Sequence, residues 1–154
     1  MAVSLTQKER SLLQDQQKHE QLCVDKYSAY ANQAKDAQLK QLFNNYASQE
    51  QTHLNSVNQM LSGNVPAMNQ QGQQNAQPAP QPTATNGMNN KDDAALCNDM
   101  LMTEKFVSGA YDTAIFEFKN ADMRNALNHI QKEEQQHGEG LFNYMQSHGM
   151  YNAQ

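Results

Sequence analysis

The sequence contains no tryptophan, only two cysteines and no long apolar run. Cys23 and Cys97 form neither a C-x-x-C pair nor a disulfide framework, so we interpret them as small buried residues with free thiols. No segment is apolar for long enough to span a membrane. Residues 1–6 lack the basic region and apolar run of a secretory signal. We therefore expect no membrane partner and a chain that is cytoplasmic at synthesis.

Charge and chain length narrow the class of protein further. The 154 residues carry 11 Lys and Arg against 16 Asp and Glu, a net charge of -5, and both signs are mixed along the chain. No basic patch or Arg-rich arm predicts a nucleic-acid partner. No Val/Ile/Thr-rich run alternates with period two between turn residues, so we expect no strands. The composition favours one all-α domain over residues 1–154.

Apolar residues recur at helical spacing in four segments: residues 6–34, 37–61, 92–118 and 122–146. Thr6 and Glu9 form a predicted capping box at the start of the first segment. Asp36 can cap the second segment, and Gly63 and Gly149 can end the second and the fourth. On the buried face of the first segment we expect Leu5 and Leu12, followed by Gln16 and Glu20 at the same helical spacing.

Residues 64–90 break this helical pattern. Gln, Asn, Ala and Pro dominate the stretch, which includes all four prolines of the chain. Such a composition cannot build a core and predicts a disordered or extended connection. We expect it to link one hairpin of helices, residues 6–62, to a second, residues 92–148.

The two predicted hairpins are related by a shift of 84 residues. The second and fourth segments each carry a Glu-x-x-His motif, Glu50 with His53 and Glu134 with His137. The same shift pairs further residues: Glu20 with Glu104, Tyr27 with Tyr111, and Lys35 with Lys119. The pattern predicts a duplicated helical hairpin.

Each half thus supplies one lone Glu and one Glu-x-x-His, all on predicted core faces. Together they form the ligand set with which a helical bundle holds two metal ions. Four carboxylates around two divalent cations sum to zero charge, whereas four unpaired buried carboxylates would be strongly destabilising. The alternative is a core with a few solvated Glu and His on exposed faces. We interpret His19 and His129, which lie off these faces, as surface residues.

Tyr27 and Tyr111 each follow the lone Glu by seven residues, which places them on the same helix face. A hydrogen bond from either hydroxyl to a carboxylate on another helix would orient that ligand. The alternative is a core tyrosine with one solvated end. For two hairpins to share one metal pair, the third helix must run in the same direction as the second. The linker must then cross the full length of the bundle, which its length allows.

Taken together, these residues resemble the ferritin-like superfamily, the group of rubrerythrin and bacterioferritin. The resemblance implies a carboxylate-bridged di-iron or di-manganese centre that reacts with oxygen or peroxide. It implies bridging roles for Glu50 and Glu134 and terminal roles for Glu20 and Glu104. His53 and His137 would each complete the shell of one metal. The chain lacks the C-x-x-C module that would provide an electron donor, and a fifth helix.

A closer resemblance, carried by residues 36–43, 122–127 and 141–151, is to the Coat F family of spore coat proteins. The combined prediction is a ferritin-like four-helix bundle that binds two iron ions, with manganese or zinc as alternatives. One predicted function is Fe(II) oxidation or oxygen and peroxide chemistry. The other is a structural or interaction role in the spore coat, with a site that only stabilises or is empty. The expected partners are metal ions, other coat proteins and a second copy of the chain.

Overall fold

Four α-helices make up the fold. A computed structural model describes residues 2–68 and 91–151. Within these ranges the elements are α1 (Gln7–Gln33), α2 (Ala37–Leu61), α3 (Lys91–Glu117) and α4 (Ala121–Ser147). The two ranges contain no strand, which confirms the all-α class. The predicted segments agree with the helices to within about one residue at each end.

Side-chain caps fix where three of the helices begin. At the start of α1 the Thr6 hydroxyl accepts a hydrogen bond from the Glu9 amide at 3.1 Å, and the Glu9 carboxylate accepts one from the Thr6 amide at 2.7 Å. This is the predicted capping box. Asp36 and Asn120, which are 84 residues apart, cap α2 and α4 with their side chains. Gly63 follows α2 with φ 82°, a backbone conformation that favours glycine.

Two buried carboxylates tie the hairpins together. Glu9 on α1 accepts a hydrogen bond from the Lys119 amide at 2.8 Å, in the turn between α3 and α4. Asp93 on α3 accepts one from the Lys35 amide at 2.9 Å, in the turn between α1 and α2. Glu9 and Asp93 are also 84 residues apart. The first helix of each hairpin therefore binds the turn of the other hairpin.

The start of α1 differs from the prediction. Glu9 and Leu13 are buried there, whereas Leu5 and Leu12 are only partly buried. From Gln16 onward the buried face is the expected one, so only the first turns differ. The reason is that the Glu9 carboxylate bonds inward to the neighbouring turn, a contact that apolar spacing does not reveal.

The contacts between helices set their directions. α1 packs on α2 and α3, and α4 packs on α3 and α2. Lys8 pairs with Glu117 at one end of the α1–α3 interface, and Lys35 pairs with Asp92 at the other, so α1 and α3 are antiparallel. Hydrogen bonds between residues 36 and 144 and between residues 53 and 134 show that α2 and α4 are also antiparallel.

It follows that α2 and α3 run in the same direction, and that the end of α2 and the beginning of α3 lie at opposite ends of the bundle. The predicted crossover linker, residues 64–90, falls mainly outside the described residues. None of the four helices in the described ranges is long and apolar enough to cross a membrane.

The packing of α4 against α2 depends on Gly140. A Cβ atom at this position would lie 1.8 Å from the Tyr46 hydroxyl and 3.1 Å from its ring carbon Cζ. The ring cannot easily move, because it stacks on the His137 imidazole at a centroid distance of 4.3 Å. Gly138 lies on the same helix, and a Cβ atom there would contact nothing within 4 Å.

We expect Gly140→Ala to lower the free energy of unfolding by about 1–3 kcal/mol, because Tyr46 must be displaced. Gly138→Ala is the matched control, and it should raise that free energy by up to about 1 kcal/mol through its helix propensity alone. Urea unfolding of the two variants measures the difference. Equal stabilisation by both substitutions would show that Gly140 is not needed for this contact.

Candidate metal centre

Six ionisable side chains lie in the middle of the bundle with almost no access to solvent. The structure brings together all the residues predicted as ligands, each at most 2% exposed: Glu20, Glu50, His53, Glu104, Glu134 and His137. α1 and α3 contribute one carboxylate each, and α2 and α4 contribute one Glu-x-x-His each. Such a cluster is unusual in a protein core, where charged groups are buried only with partners.

The six side chains form two overlapping groups of four, in each of which the candidate ligand atoms all lie within 4.8 Å of one another. One group consists of Glu20, Glu50, His53 and Glu134, and the other of Glu50, Glu104, Glu134 and His137. Glu50 and Glu134 belong to both groups. Each group could therefore hold one metal ion, with two shared carboxylates, one unshared carboxylate and one imidazole.

Both imidazoles direct the same nitrogen into the cluster. His53 Nδ1 lies 2.9 Å from Glu134 Oε1 and 3.2 Å from Glu50 Oε2. His137 Nδ1 lies 2.9 Å from Glu50 Oε1 and 3.3 Å from Glu104 Oε1. Nδ1 is therefore the nitrogen that would be offered to a metal, and Nε2 points outward on both rings.

Two tyrosines orient the unshared carboxylates. Tyr27 on α1 donates a hydrogen bond of 2.5 Å to Glu104 Oε1, and Tyr111 on α3 donates one to Glu20 Oε1. Burial raises the pKa of both hydroxyls well above the usual value, and the nearby carboxylates raise it further, so both remain donors. Each tyrosine thus holds Oε1 of one candidate ligand, and in Glu104 the same oxygen also lies 3.3 Å from His137 Nδ1.

Without a metal, the pKa values of the four carboxyl groups divide into two that are raised and two that are lowered. Burial and the facing Glu50 raise the pKa of Glu20 well above its usual value. Burial and the facing Glu134 raise the pKa of Glu104 to about 7. Burial opposes ionisation of Glu50, but hydrogen bonds from Glu20 and the two imidazoles lower its pKa to about 2. The pKa of Glu134 is lowered in the same way, by hydrogen bonds from Glu104 and both imidazoles.

The two imidazoles balance the two ionised carboxylates. Burial alone would lower the pKa of His53 and His137, but hydrogen bonds to the surrounding carboxylates raise it well above the usual value. Two imidazolium ions and two carboxylates sum to zero charge. Two divalent cations with four carboxylates and two neutral imidazoles also sum to zero. Metal and protons can therefore replace one another without leaving net charge in the core.

The donor atoms fit a pair of metal ions. Oε2 of Glu20, Glu104 and Glu134 accepts no hydrogen bond from a nitrogen or a tyrosine hydroxyl of the described residues, and His53 Nε2 has no hydrogen-bond partner there either. Protons shared by Glu20 with Glu50 and by Glu104 with Glu134 satisfy these carboxyl groups in the metal-free state, and coordination of a cation would satisfy them when those protons leave. Carboxylate oxygen and imidazole nitrogen are ligands that suit iron, manganese and zinc.

The outward Nε2 atoms contact residues that sequence reasoning did not single out. His137 Nε2 lies 2.6 Å from Gln49 Oε1. His53 Nε2 lies 3.6 Å from Glu133 Oε1, and His129 Nε2 lies 2.7 Å from the same oxygen. The interpretation of His129 as a surface residue was therefore incomplete, since its side chain is one-third exposed and bonded to Glu133. The sequence did contain a signal that could have identified residues 49 and 133: each directly precedes a Glu-x-x-His motif.

The comparisons with known proteins point in one direction. The model of the Coat F domain matches residues 92–154. The chain is also 32% identical over 87 residues to "Uncharacterized protein YusN" of Bacillus subtilis (strain 168), an alignment that covers 56% of this chain and 76% of that protein. The chain belongs to the Coat F family. The predicted Coat F resemblance is thereby confirmed, and the family name points to the spore coat. No solved structure matches the chain.

The protonation of the cluster predicts how the metal-free protein responds to pH. The pKa of Glu104 rises from 4.5 to about 7 on folding, and the pKa values of Glu20, His53 and His137 also rise. The folded state then holds more protons than the unfolded state, so the free energy of unfolding falls as pH rises through this range. Glu50, with its lowered pKa, has the opposite effect only below about pH 4.5.

Chelator-treated protein should therefore have its highest melting temperature near pH 5 and a lower one at pH 8. Scanning calorimetry across this range is the measurement. Glu104→Gln, which keeps the shape and removes the ionisation, should make the decline shallower. A melting temperature that rises from pH 5 to pH 8 would contradict this assignment of protons.

Proposed function

We propose that the protein is a ferritin-like spore coat protein whose core holds two divalent metal ions, most simply iron. The observation that carries the proposal is the pair of four-ligand groups that share Glu50 and Glu134. Neither the Coat F match nor the similarity to YusN names a metal. The proposal therefore rests on the chemistry of the six side chains and on the resemblance to di-iron proteins.

In this proposal Glu50 and Glu134 bridge the two ions. Glu20 and His53 complete the shell of one ion, and the equivalent pair, residues 104 and 137, completes that of the other. Tyr27 and Tyr111 hold the two unshared carboxylates in place through their hydrogen bonds. Manganese and zinc are the alternatives to iron, because the same oxygen and nitrogen donors suit them.

One candidate activity is oxidation of Fe(II). A bound iron pair would supply redox chemistry with oxygen or peroxide. The residues of this chain would hold the ions at close spacing and exclude bulk water. They would also give up protons from the imidazoles and from Glu20 and Glu104 when metal binds. The complete set of six ligands supports this candidate.

The second candidate is a structural role, in which the ions only stabilise the bundle. It is favoured by the burial of all six ligands, which are at most 2% exposed, and by membership of a spore coat family. The proposed partners in that role are other coat proteins, and a homodimer remains a prediction. Addition of excess Fe(II) in air separates the two roles. An oxidase oxidises more Fe(II) than the two equivalents that fill the site, and faster than the same buffer without protein does, whereas a structural site gives no increase over the buffer.

Metal content is the first test of the proposal. Protein produced in medium supplemented with iron and manganese should contain about two metal ions per chain by mass spectrometry. Glu50→Ala with Glu134→Ala should lose both ions, because these residues belong to both groups of ligands. Glu117→Gln, which changes an exposed carboxylate at the end of α3, is the control and should keep both.

Anaerobic addition of Fe(II) to the folded wild-type protein guards against loss of metal during purification. If the protein then still held no metal, the dinuclear site would be refuted. A metal-free coat protein would be the better account.

A further inference from the structure

We propose that the two metal positions are inequivalent, and that the position formed with Glu20 and His53 binds the first ion. The inference deepens the proposed function and rests on it. It concerns the side chains that face Nε2, the outer nitrogen, of each imidazole. These side chains differ between the two halves of the chain, although the six candidate ligands are the same in both.

The two halves place different residues at the same repeat position. Gln49 directly precedes Glu50, and Glu133 directly precedes Glu134, so the two are 84 residues apart. Each reaches across the α2–α4 interface to the imidazole of the opposite helix. Gln49 Oε1 lies 2.6 Å from His137 Nε2, within hydrogen-bond distance. Glu133 Oε1 lies 3.6 Å from His53 Nε2, which is an ion-pair distance, and His53 Nε2 has no hydrogen-bond partner among the described residues. The outer nitrogen of His137 therefore faces a neutral amide, and that of His53 faces a carboxylate.

The carboxylate behind His53 is itself held in place. His129 Nε2 lies 2.7 Å from Glu133 Oε1, one helical turn before it on α4. The equivalent residue in the first half is Asn45, which carries no ionisable group. Glu133 is one-quarter exposed, whereas His53 is 2% exposed. Glu133 is thus a positioning residue at the edge of the core rather than a ligand.

A carboxylate that faces the outer N–H of a ligating imidazole strengthens that imidazole as a ligand. Its negative charge favours the tautomer with the proton on Nε2 and increases the basicity of the inner nitrogen, and loss of such an outer partner typically costs 10- to 100-fold in metal affinity. An amide fixes the tautomer and the orientation but adds no negative charge. The position at His53 should therefore bind a divalent cation more tightly than the position at His137.

Single-histidine variants isolate the two positions. His137→Ala keeps the position at His53, and His53→Ala keeps the position at His137. Each is titrated with Co²⁺, followed by calorimetry and by visible absorption. We expect His137→Ala to bind one Co²⁺ at least about tenfold more tightly than His53→Ala does.

Exchange of residues 49 and 133 tests whether the carboxylate near His53 causes the difference in affinity. In the His137→Ala background, Glu133→Gln should weaken Co²⁺ binding about tenfold. In the His53→Ala background, Gln49→Glu should strengthen it, a gain that loss of structure cannot produce. Glu117→Gln in the His137→Ala background is the control for removal of one negative charge. Melting temperatures of the metal-free variants show whether each is folded, and the Gln49→Glu arm decides the matter if Glu133→Gln does not fold.

The outcomes separate this inference from the proposed function. Equal affinities of the two single-histidine variants, or failure of His137→Ala to bind Co²⁺ at all, would overturn the inference. Unchanged affinities on exchange of residues 49 and 133 would overturn it as well. In each case wild-type protein that still binds two ions would leave the dinuclear site intact. Wild-type protein that binds none would refute both.

Discussion

The structure depends on compensation of four carboxyl groups that are buried in one layer of the bundle. An isolated carboxylate in such a place would be removed from water at a cost of several kcal/mol. Here protons shared among the imidazoles and the carboxyl groups offset this cost in the metal-free fold. In the proposed function two divalent cations would take the place of those protons and would also leave the core neutral.

This constraint also explains the arrangement of the helices. Each half of the chain carries three of the six side chains, and the short imidazole–carboxylate contacts, His53 with Glu134 and His137 with Glu50, join one half to the other. α1 and α3 must meet so that the tyrosine of each can bind the carboxylate of the other. The turns add a second set of reciprocal contacts, in which Glu9 and Asp93 bind the opposite hairpin. Membership of the Coat F family is compatible with such a compact, reciprocal unit, whether its centre is catalytic or structural.

Much of this could be predicted from the sequence, because apolar spacing fixes helix faces and the 84-residue shift identifies equivalent positions. The four helices and the convergence of the candidate ligands follow from those two signals, and the capping box follows from the Thr-x-x-Glu motif at Thr6. The buried face at the start of α1 could not be predicted, because Glu9 turns inward to bind the Lys119 amide in the turn between α3 and α4, which is distant in sequence. The contacts of Gln49 and Glu133 were missed because both lie beside the ligand face. Whether such a residue reaches a neighbouring helix depends on the packing of the helices, which periodicity does not specify.

The most direct measurement of the central claim is anomalous diffraction from crystals of the protein loaded anaerobically with Fe(II). The account predicts two peaks in the buried layer, about 3.5–4 Å apart, as in other two-metal sites. Both should lie between Glu50 and Glu134, one beside His53 Nδ1 and the other beside His137 Nδ1. An empty layer in which the imidazoles remain hydrogen-bonded to the carboxylates, with iron absent or bound only at the surface, would contradict the account.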